Sequence, residues 1–366
     1  MKPRTAAVPG RAGRRSAAWL LAAWLLALLP LGVPAAAVPV PLPEGPIRGM
    51  TIGCFRWGPG EWDGPHMAGT LDELKALGVG WISLPPYASV FADGRIDPSV
   101  GTDASVIVPV ALAKARGMRT LLKPHLGYWR SRVFSWRGEI AFEDPAALDR
   151  FFAGYTRWIV HQATLAEAAG VDLFCVGLEY AQLEHHEARW RAVIAAVRGV
   201  YAGPITYAAN WDRADAVPFW DALDAVGVQA YFPLVAGGTR DPTDAELRAG
   251  WARIRATLRG LEERTGRPVI LTELGYPRST NAAAEPWASA EEPWRLNPDP
   301  AAVPGDDAAG ARLKARCLAI ALEAVAGEPA VAGVFLWKWF PTPERLDSEF
   351  HLQNPLTAGV IAEAWR

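Results

Sequence analysis

At 366 residues, with 51% apolar and 21% charged composition, the chain is long enough to bury a large core and too apolar for wholesale disorder. A formal net charge of −2 supplies no electrostatic footprint for nucleic acid or for an anionic membrane surface, and leaves a neutral ligand unopposed. Three cysteines, Cys54, Cys175 and Cys317, make neither a disulfide framework nor a Cys-x-x-Cys zinc site, so they are expected to be buried small hydrophobes.

The chain begins with Lys2, Arg4, Arg11, Arg14 and Arg15 ahead of an apolar run from Ala17 to Val33, followed by Ala35-Ala36-Ala37. That order predicts a signal peptide over residues 1–37, cleaved after Ala37, and a secreted or periplasmic protein. An uncleaved N-terminal membrane anchor is the alternative. Residues 38–46 are Pro-rich and read as an extended lead-in.

From residue 47 onward, short β-rich runs alternate with longer amphipathic stretches, the pattern of repeated βα units. The expected strands are Ile47–Phe55, Val79–Leu84, Met118–Pro124, Val171–Leu178, Pro204–Ala209, Ala225–Tyr231, the run ending at Glu273, and Ala330–Trp337. Between them lie expected helices at Met67–Leu77, Ala104–Arg116, Leu148–Ala169, Glu187–Val200, Asp244–Thr265, Ala308–Ala326 and Thr357–Trp365, with a short helix at Phe219–Leu223. Pro145 and Gly170 punctuate the longest of these as a helix start and stop. Eight strands over residues 47–366 predict a single (β/α)8 TIM barrel. Its connections after strands three and seven, His125–Asp144 and Pro277–Asp307, are far longer than usual, which marks them for function. The structural rival, a doubly wound nucleotide-binding sheet, lacks a Gly-x-Gly-x-x-Gly opening a helix.

Two strands share an unusual ending. Pro268-Val269-Ile270-Leu271-Thr272-Glu273 and Val171-Asp172-Leu173-Phe174-Cys175-Val176-Gly177-Leu178-Glu179 are apolar runs that deliver a glutamate at the C-terminal tip. A barrel gathers its strand tips into one rim, so Glu179 and Glu273 are expected at one mouth. With them come Phe55, Arg56, Trp57, Tyr87, Lys123, His125, Tyr180, Asn210, Trp211, Tyr231, Tyr276, Trp337, Lys338 and Trp339, and Trp129 from the loop after the third strand. Aromatic faces that stack on C–H surfaces, beside polar groups that bind hydroxyls, suit a polysaccharide or oligosaccharide. Two carboxyls about 5 Å apart across a glycosidic bond give double displacement with retention, whereas a wider gap admits water and inverts. The shorter gap is expected. No cofactor or metal is required by this chemistry.

Some residues invite structural readings instead. His185-His186-Glu187 lacks a His-Glu-x-x-His spacing and reads as a solvated helix cap. Asp172 and Asp224 stand at strand beginnings, on the stability face. Lys123 either binds a hydroxyl or neutralises a glutamate across the barrel, and His125 is either structural or a substrate contact.

Seven runs in order, Lys123-Pro124-His125, Trp136-Arg137-Gly138-Glu139-Ile140, Gly177-Leu178-Glu179, Tyr207-Ala208-Ala209-Asn210-Trp211, Phe219-Trp220-Asp221-Ala222-Leu223-Asp224, Gln229-Ala230-Tyr231-Phe232-Pro233-Leu234 and Thr272-Glu273-Leu274-Gly275-Tyr276, resemble glycoside hydrolase family 113. The likeness extends from about Arg48 to the end. It implies a retaining clan A barrel acting as an endo-β-1,4-mannanase, with Glu179 as acid/base and Glu273 as nucleophile. It further implies that Tyr231 orients the nucleophile and that Trp337 floors the subsite of the reacting sugar. Many enzymes of the clan carry Asn directly before the acid/base. Leu178 stands there instead, which leaves the 2-hydroxyl contact to Asn210 or His125. The rival functions are a sugar-binding or envelope-assembly protein without hydrolysis, and a hydrolase of another β-glycan.

Overall fold

Apolar runs too short for helices pair into a buried parallel sheet only if something covers their outer faces, and the intervening amphipathic stretches do so. The computed structural model describes residues 39–53, 61–99, 101–238, 241–288, 307–341 and 349–366. Its first half comprises β1 (Ile47–Ile52), α1 (Pro65–Ala76), β2 (Trp81–Leu84), β3 (Tyr87–Val90), β4 (Ile96–Asp97), α2 (Ala104–Lys114), β5 (Arg119–Leu122), β6 (His125–Gly127), α3 (Pro145–Ala169) and β7 (Leu173–Leu178). Then come α4 (Glu187–Arg198), β8 (Ile205–Asn210), β9 (Ala225–Gln229), α5 (Asp244–Thr265), β10 (Val269–Leu274), α6 (Asp307–Ala326), β11 (Val331–Trp339) and α7 (Pro355–Trp365).

Eight of these strands close into a barrel in the order β1-β11-β10-β9-β8-β7-β5-β2, every neighbouring pair parallel. This is the (β/α)8 barrel expected from the strand count. The long helices are delimited as their end residues dictate. Asp144 accepts from the Ala146 amide ahead of Pro145, and Gly170 closes α3 in the left-handed region at φ 68°. Thr243 and Glu246 form a reciprocal capping box on α5. Trp158 and Trp251 are core residues, as expected of helical tryptophans.

Two expectations need correction, and one pairing is new. The stretch 125–144 is not all loop, because β6 begins it and a 3₁₀ turn, Arg137–Glu139, lies within it. The second strand ends at Leu84 as expected, and beyond Pro85-Pro86 a separate sheet of order β4-β3-β6 forms, with Tyr87 paired to His125. Proline has no N–H for the ladder, so Pro85, Pro86 and Pro124 divide the barrel sheet from this second one. The segment Phe219–Leu223 forms only a 3₁₀ turn, Trp220–Ala222.

The N-terminal end of the barrel carries structure, not chemistry. Asp172 accepts from Thr120 N at 2.9 Å, and Asp224 accepts from Val40 N at 2.8 Å and Ile205 N at 2.7 Å. Cys175 and Cys317 are buried and free. Cys54, Phe55, Arg56, Trp57 and the expected signal, residues 1–37, lie outside the described residues. Among the described residues no helix is long and apolar enough to cross a membrane.

Candidate active site

Glu273 sits near the end of β10, 3% exposed, where an unpaired carboxylate would be costly. The parallel register slips by one residue between Leu271 and Glu273 against β9, a bulge of the kind that re-aims a side chain at a barrel rim. Its two oxygens have separate partners. Oε1 accepts from Nζ of Lys123, itself wholly buried and also donating to Thr272 O at 3.1 Å and Gln229 Oε1 at 3.3 Å. Oε2 accepts from the Tyr231 hydroxyl at 2.7 Å. Burial pushes the Glu273 carboxyl up, but the Lys123 charge and hydrogen bond, with Gln229 and the Arg137 charge, together hold the group below the usual glutamate range. Burial, with the charge of Glu273 added, pushes the Tyr231 phenol well above its ordinary value, so it stays a donor.

Glu179 immediately follows β7, whose register also shifts between Cys175 and Leu178. Its backbone lies in the left-handed region at φ 54°, which side-chain-bearing residues seldom adopt. Arg137, from the 3₁₀ turn in the long loop after β6, brings Nε to 3.4 Å from Glu179 Oε2. Here the balance goes the other way. Burial pushes Glu179 above the ordinary glutamate range, the Arg137 charge opposing this and the Glu273 charge adding to it. One glutamate therefore favours its proton and the other its charge.

Both glutamates line one cleft of about 530 Å³, together with Trp136, Arg137, Asn210, Trp211, Asp212, Tyr231, Trp287, Trp337 and Phe350. Of the residues expected to meet substrate, Asn210, Trp211, Tyr231 and Trp337 thus share the cleft. Asn210 also donates from Nδ2 to Asp212 at 2.8 Å. Lys123 and His125 are fully buried behind the lining, and the Lys123 alternatives resolve in favour of neutralising Glu273. His125 Nε2 lies 3.9 Å from Glu273 Oε1, and its ring is parallel to Trp337 with centroids 6.2 Å apart. Burial pushes its imidazole well below the ordinary histidine value, so it is neutral at pH 7.

Tyr87 and Trp129 pack outside the lining, Tyr87 with its centroid 5.0 Å from His125 and 5.8 Å from Trp129. Lys338, joined to Trp337 by a cis peptide bond, places its ammonium 5.0 Å from the Trp337 ring and 5.1 Å from Phe340. Trp57 falls outside the described residues. Reading strand tips alone misses Arg137, Trp136, Trp287 and Phe350. The first two stand in the loop already marked by its length, and Trp287 in the long loop after β10, but nothing local says which loop residues fold inward.

His185 is exposed and His186 stands at the N-cap position of α4 without a side-chain cap hydrogen bond, which corrects the capping role while leaving the pair solvent-facing. No group of His, Cys, Asp and Glu fit to hold a metal ion occurs among the described residues. Chemically, the cleft offers two carboxyls displaced in opposite directions and apolar ring faces about them.

The profile of Glycoside Hydrolase Family 113 matches residues 50–350. A family 113 β-mannanase from Alicyclobacillus acidocaldarius, solved in complex with ManMIm, is 28% identical, with 88% of this chain and 97% of that chain covered at a TM-score of 0.73. Another family 113 structure, a β-1,4-mannanase complex, is 22% identical over 88% of this chain and 99% of that one, with a TM-score of 0.72. A β-galacturonidase of family 2 from Eisenbergiella tayi shares the fold at 14% identity, 88% and 50% coverage and a TM-score of 0.54. The comparison with curated proteins finds no match.

Proposed function

Because this chain belongs to glycoside hydrolase family 113, we propose that it hydrolyses β-1,4-linked mannan-type chains with retention, Glu273 acting as nucleophile and Glu179 as acid/base. The observation that carries the roles is the opposed displacement of two carboxyls lining one cleft, Glu179 upward and Glu273 downward. The 28% identical β-mannanase supports the substrate class.

In this reading the ionised Glu273, oriented by Lys123 and Tyr231, attacks the anomeric carbon as the protonated Glu179 gives its proton to the departing glycosidic oxygen. The product is a glycosyl ester on Glu273 and a free chain end. Esterification removes the negative charge that had helped to keep Glu179 protonated, so Arg137 now stabilises the Glu179 anion. That anion takes a proton from water, whose oxygen displaces the ester at the anomeric carbon and restores the first configuration. Trp337 and the Trp211–Trp287 pair, stacked at 5.7 Å, present ring faces to the sugars, and Asn210 is the cleft-facing candidate for the 2-hydroxyl. His125, buried behind Trp337, is the poorer one.

The experiment is a hydrolysis screen over mannan, glucomannan, xylan and mixed-linkage glucan with product sizing, followed by azide rescue. Glu273→Ala with azide should yield the α-glycosyl azide, and Glu179→Ala the β-glycosyl azide. The reverse pattern would exchange the two roles, and binding of mannan without products would leave a sugar-binding protein. Export of the mature chain is proposed as well, from residues 1–37. N-terminal sequencing of protein from the culture medium or periplasm should begin at Val38.

A further inference from the structure

The acid/base sits on a backbone that needs holding. Glu179 has a φ of 54°, and the residues on either side of that angle are each clamped to β8: Glu179 N donates to Ala208 O at 2.9 Å, and Tyr180 N donates to the Tyr207 hydroxyl oxygen at 3.0 Å. The second clamp is a side chain, not a sheet bond. A phenol hydroxyl rotates, and it accepts from Tyr180 N only while its own hydrogen points elsewhere. Glu184 provides the elsewhere. Its Oε1 accepts from the Tyr207 hydroxyl at 3.0 Å, and the three residues are 0–1% exposed.

This carboxylate has no part in the reaction described above, and its burial is expensive. Around it stand Tyr207 and Arg213, Asp212 and Glu179; Arg213 Nε is 3.9 Å from Oε2, which has no hydrogen-bond partner among the described residues. Burial pushes Glu184 up to about 7. What Glu184 does in this position is orient the Tyr207 hydroxyl. The turn itself is pinned from outside. The Trp190 indole donates to Leu183 O at 2.9 Å, and Gln182 N donates to Gly138 O at 3.3 Å, next to Arg137. Gly177 leaves room for the arrangement, since a Cβ there would lie 3.0 Å from the Tyr207 ring and 3.1 Å from that of Trp190.

We propose that Glu184 and Tyr207 are positioning residues for Glu179: the Glu184–Tyr207–Tyr180 chain of hydrogen bonds holds the backbone that aims the acid at the leaving-group oxygen. The proposal rests on the assignment of Glu179 as acid/base, and its consequence is selective. Loss of aim should harm only steps that need proton donation or removal. A leaving group that departs as a stable anion needs no proton, so its release should be spared.

The test measures kcat/KM of wild type, Y207F, E184A, E184Q and E179A on mannopentaose and on 2,4-dinitrophenyl β-mannobioside, with melting curves to establish folding. On mannopentaose Y207F and E184A should lose about 10- to 100-fold, and on the dinitrophenyl substrate no more than about threefold. E184Q retains an acceptor for Tyr207 and should recover most of what E184A loses. Should Y207F not fold, the contrast of E184A with E184Q carries the same test. Equal losses on both substrates, or no loss on mannopentaose in folded variants, overturn the proposal. If E179A itself shows no preference for the activated substrate, the assignment of Glu179 falls and the proposal with it; preference in E179A alone brings down the proposal only. A substrate-free measurement stands beside these. The ¹³C carboxyl resonance of Glu179, identified by its absence in E179Q and titrated among Arg137, Glu273 and Lys123, should titrate lower in Y207F as the loosened side chain gains water. An unchanged titration overturns the positioning role.

Discussion

Replacing Lys123 by methionine removes the cation that keeps Glu273 ionised while keeping the volume of the side chain. The ammonium is fully buried and the carboxylate side chain 4% exposed, so solvent screens the pair little. At hydrogen-bond distance, about 3 Å, and an effective dielectric of about 20, the attraction is about 5.5 kcal/mol. The Tyr231 hydrogen bond at 2.7 Å survives the substitution and keeps part of the stabilisation, but without the cation burial should carry the Glu273 carboxyl above the ordinary glutamate range. The assay is kcat/KM for a manno-oligosaccharide between about pH 4 and about pH 9, with thermal melts at each pH. In wild type the acid limb falls below the ordinary glutamate range; in K123M it should move above that range, cutting activity at pH 5 by about 100-fold. Stability should change sign with it. The depressed wild-type group stabilises the fold above the unfolded glutamate pKa and loses that contribution as pH falls through its lower folded value. In K123M, with the folded value raised, stability should instead decline as pH rises through the new pKa. An acid limb that stays in place in a folded K123M would refute the account of how Glu273 is kept charged.

The other expectations follow the same contacts. Arg137→Met removes the charge that draws Glu179 downward, so the alkaline limb of kcat/KM should extend upward and deglycosylation, read as kcat on an activated aryl glycoside, should slow about tenfold. Tyr231→Phe takes one of two donors from Glu273; a hydrogen bond to a charged group is worth about 1.5–3 kcal/mol, so the melting temperature should fall, and with the nucleophile less well oriented kcat should drop by about 10- to 100-fold. Trp287 is 48% exposed and stacked on Trp211, and Trp287→Ala should raise KM for mannohexaose by about threefold to tenfold while leaving that for mannotriose nearly constant. Gly177→Ala pushes a methyl group against Tyr207 and Trp190, which should cost about 1–3 kcal/mol in denaturant unfolding.

Much of the architecture was open to inspection in the chain because it depends on local periodicity. Val269–Leu274 and Leu173–Leu178 are short, unbroken apolar runs, and Pro145–Ala169 shows helical periodicity between a proline and a glycine. Other local signals carry two meanings. Pro85-Pro86 and Pro124 stop a ladder as readily as they divide it, and only the juxtaposition of Tyr87 with His125 reveals that β3 and β6 pair beyond them.

The linear order of residues was enough to determine that two glutamates stand at the tips of strands sharing one rim, since strand tips of a parallel barrel all face the same way. The direction in which each carboxyl is displaced was decided in three dimensions. Lys123 reaches Glu273 across 150 positions of sequence, and Arg137 reaches Glu179 from a loop whose inward fold has no periodic signal. Burial raises the cost of charge on both carboxyls, and the two differ because Lys123, Gln229 and Arg137 together outweigh that cost at Glu273 whereas Arg137 and Lys123 do not at Glu179. Such a difference depends on desolvation and distance, which come into being only when the chain has closed.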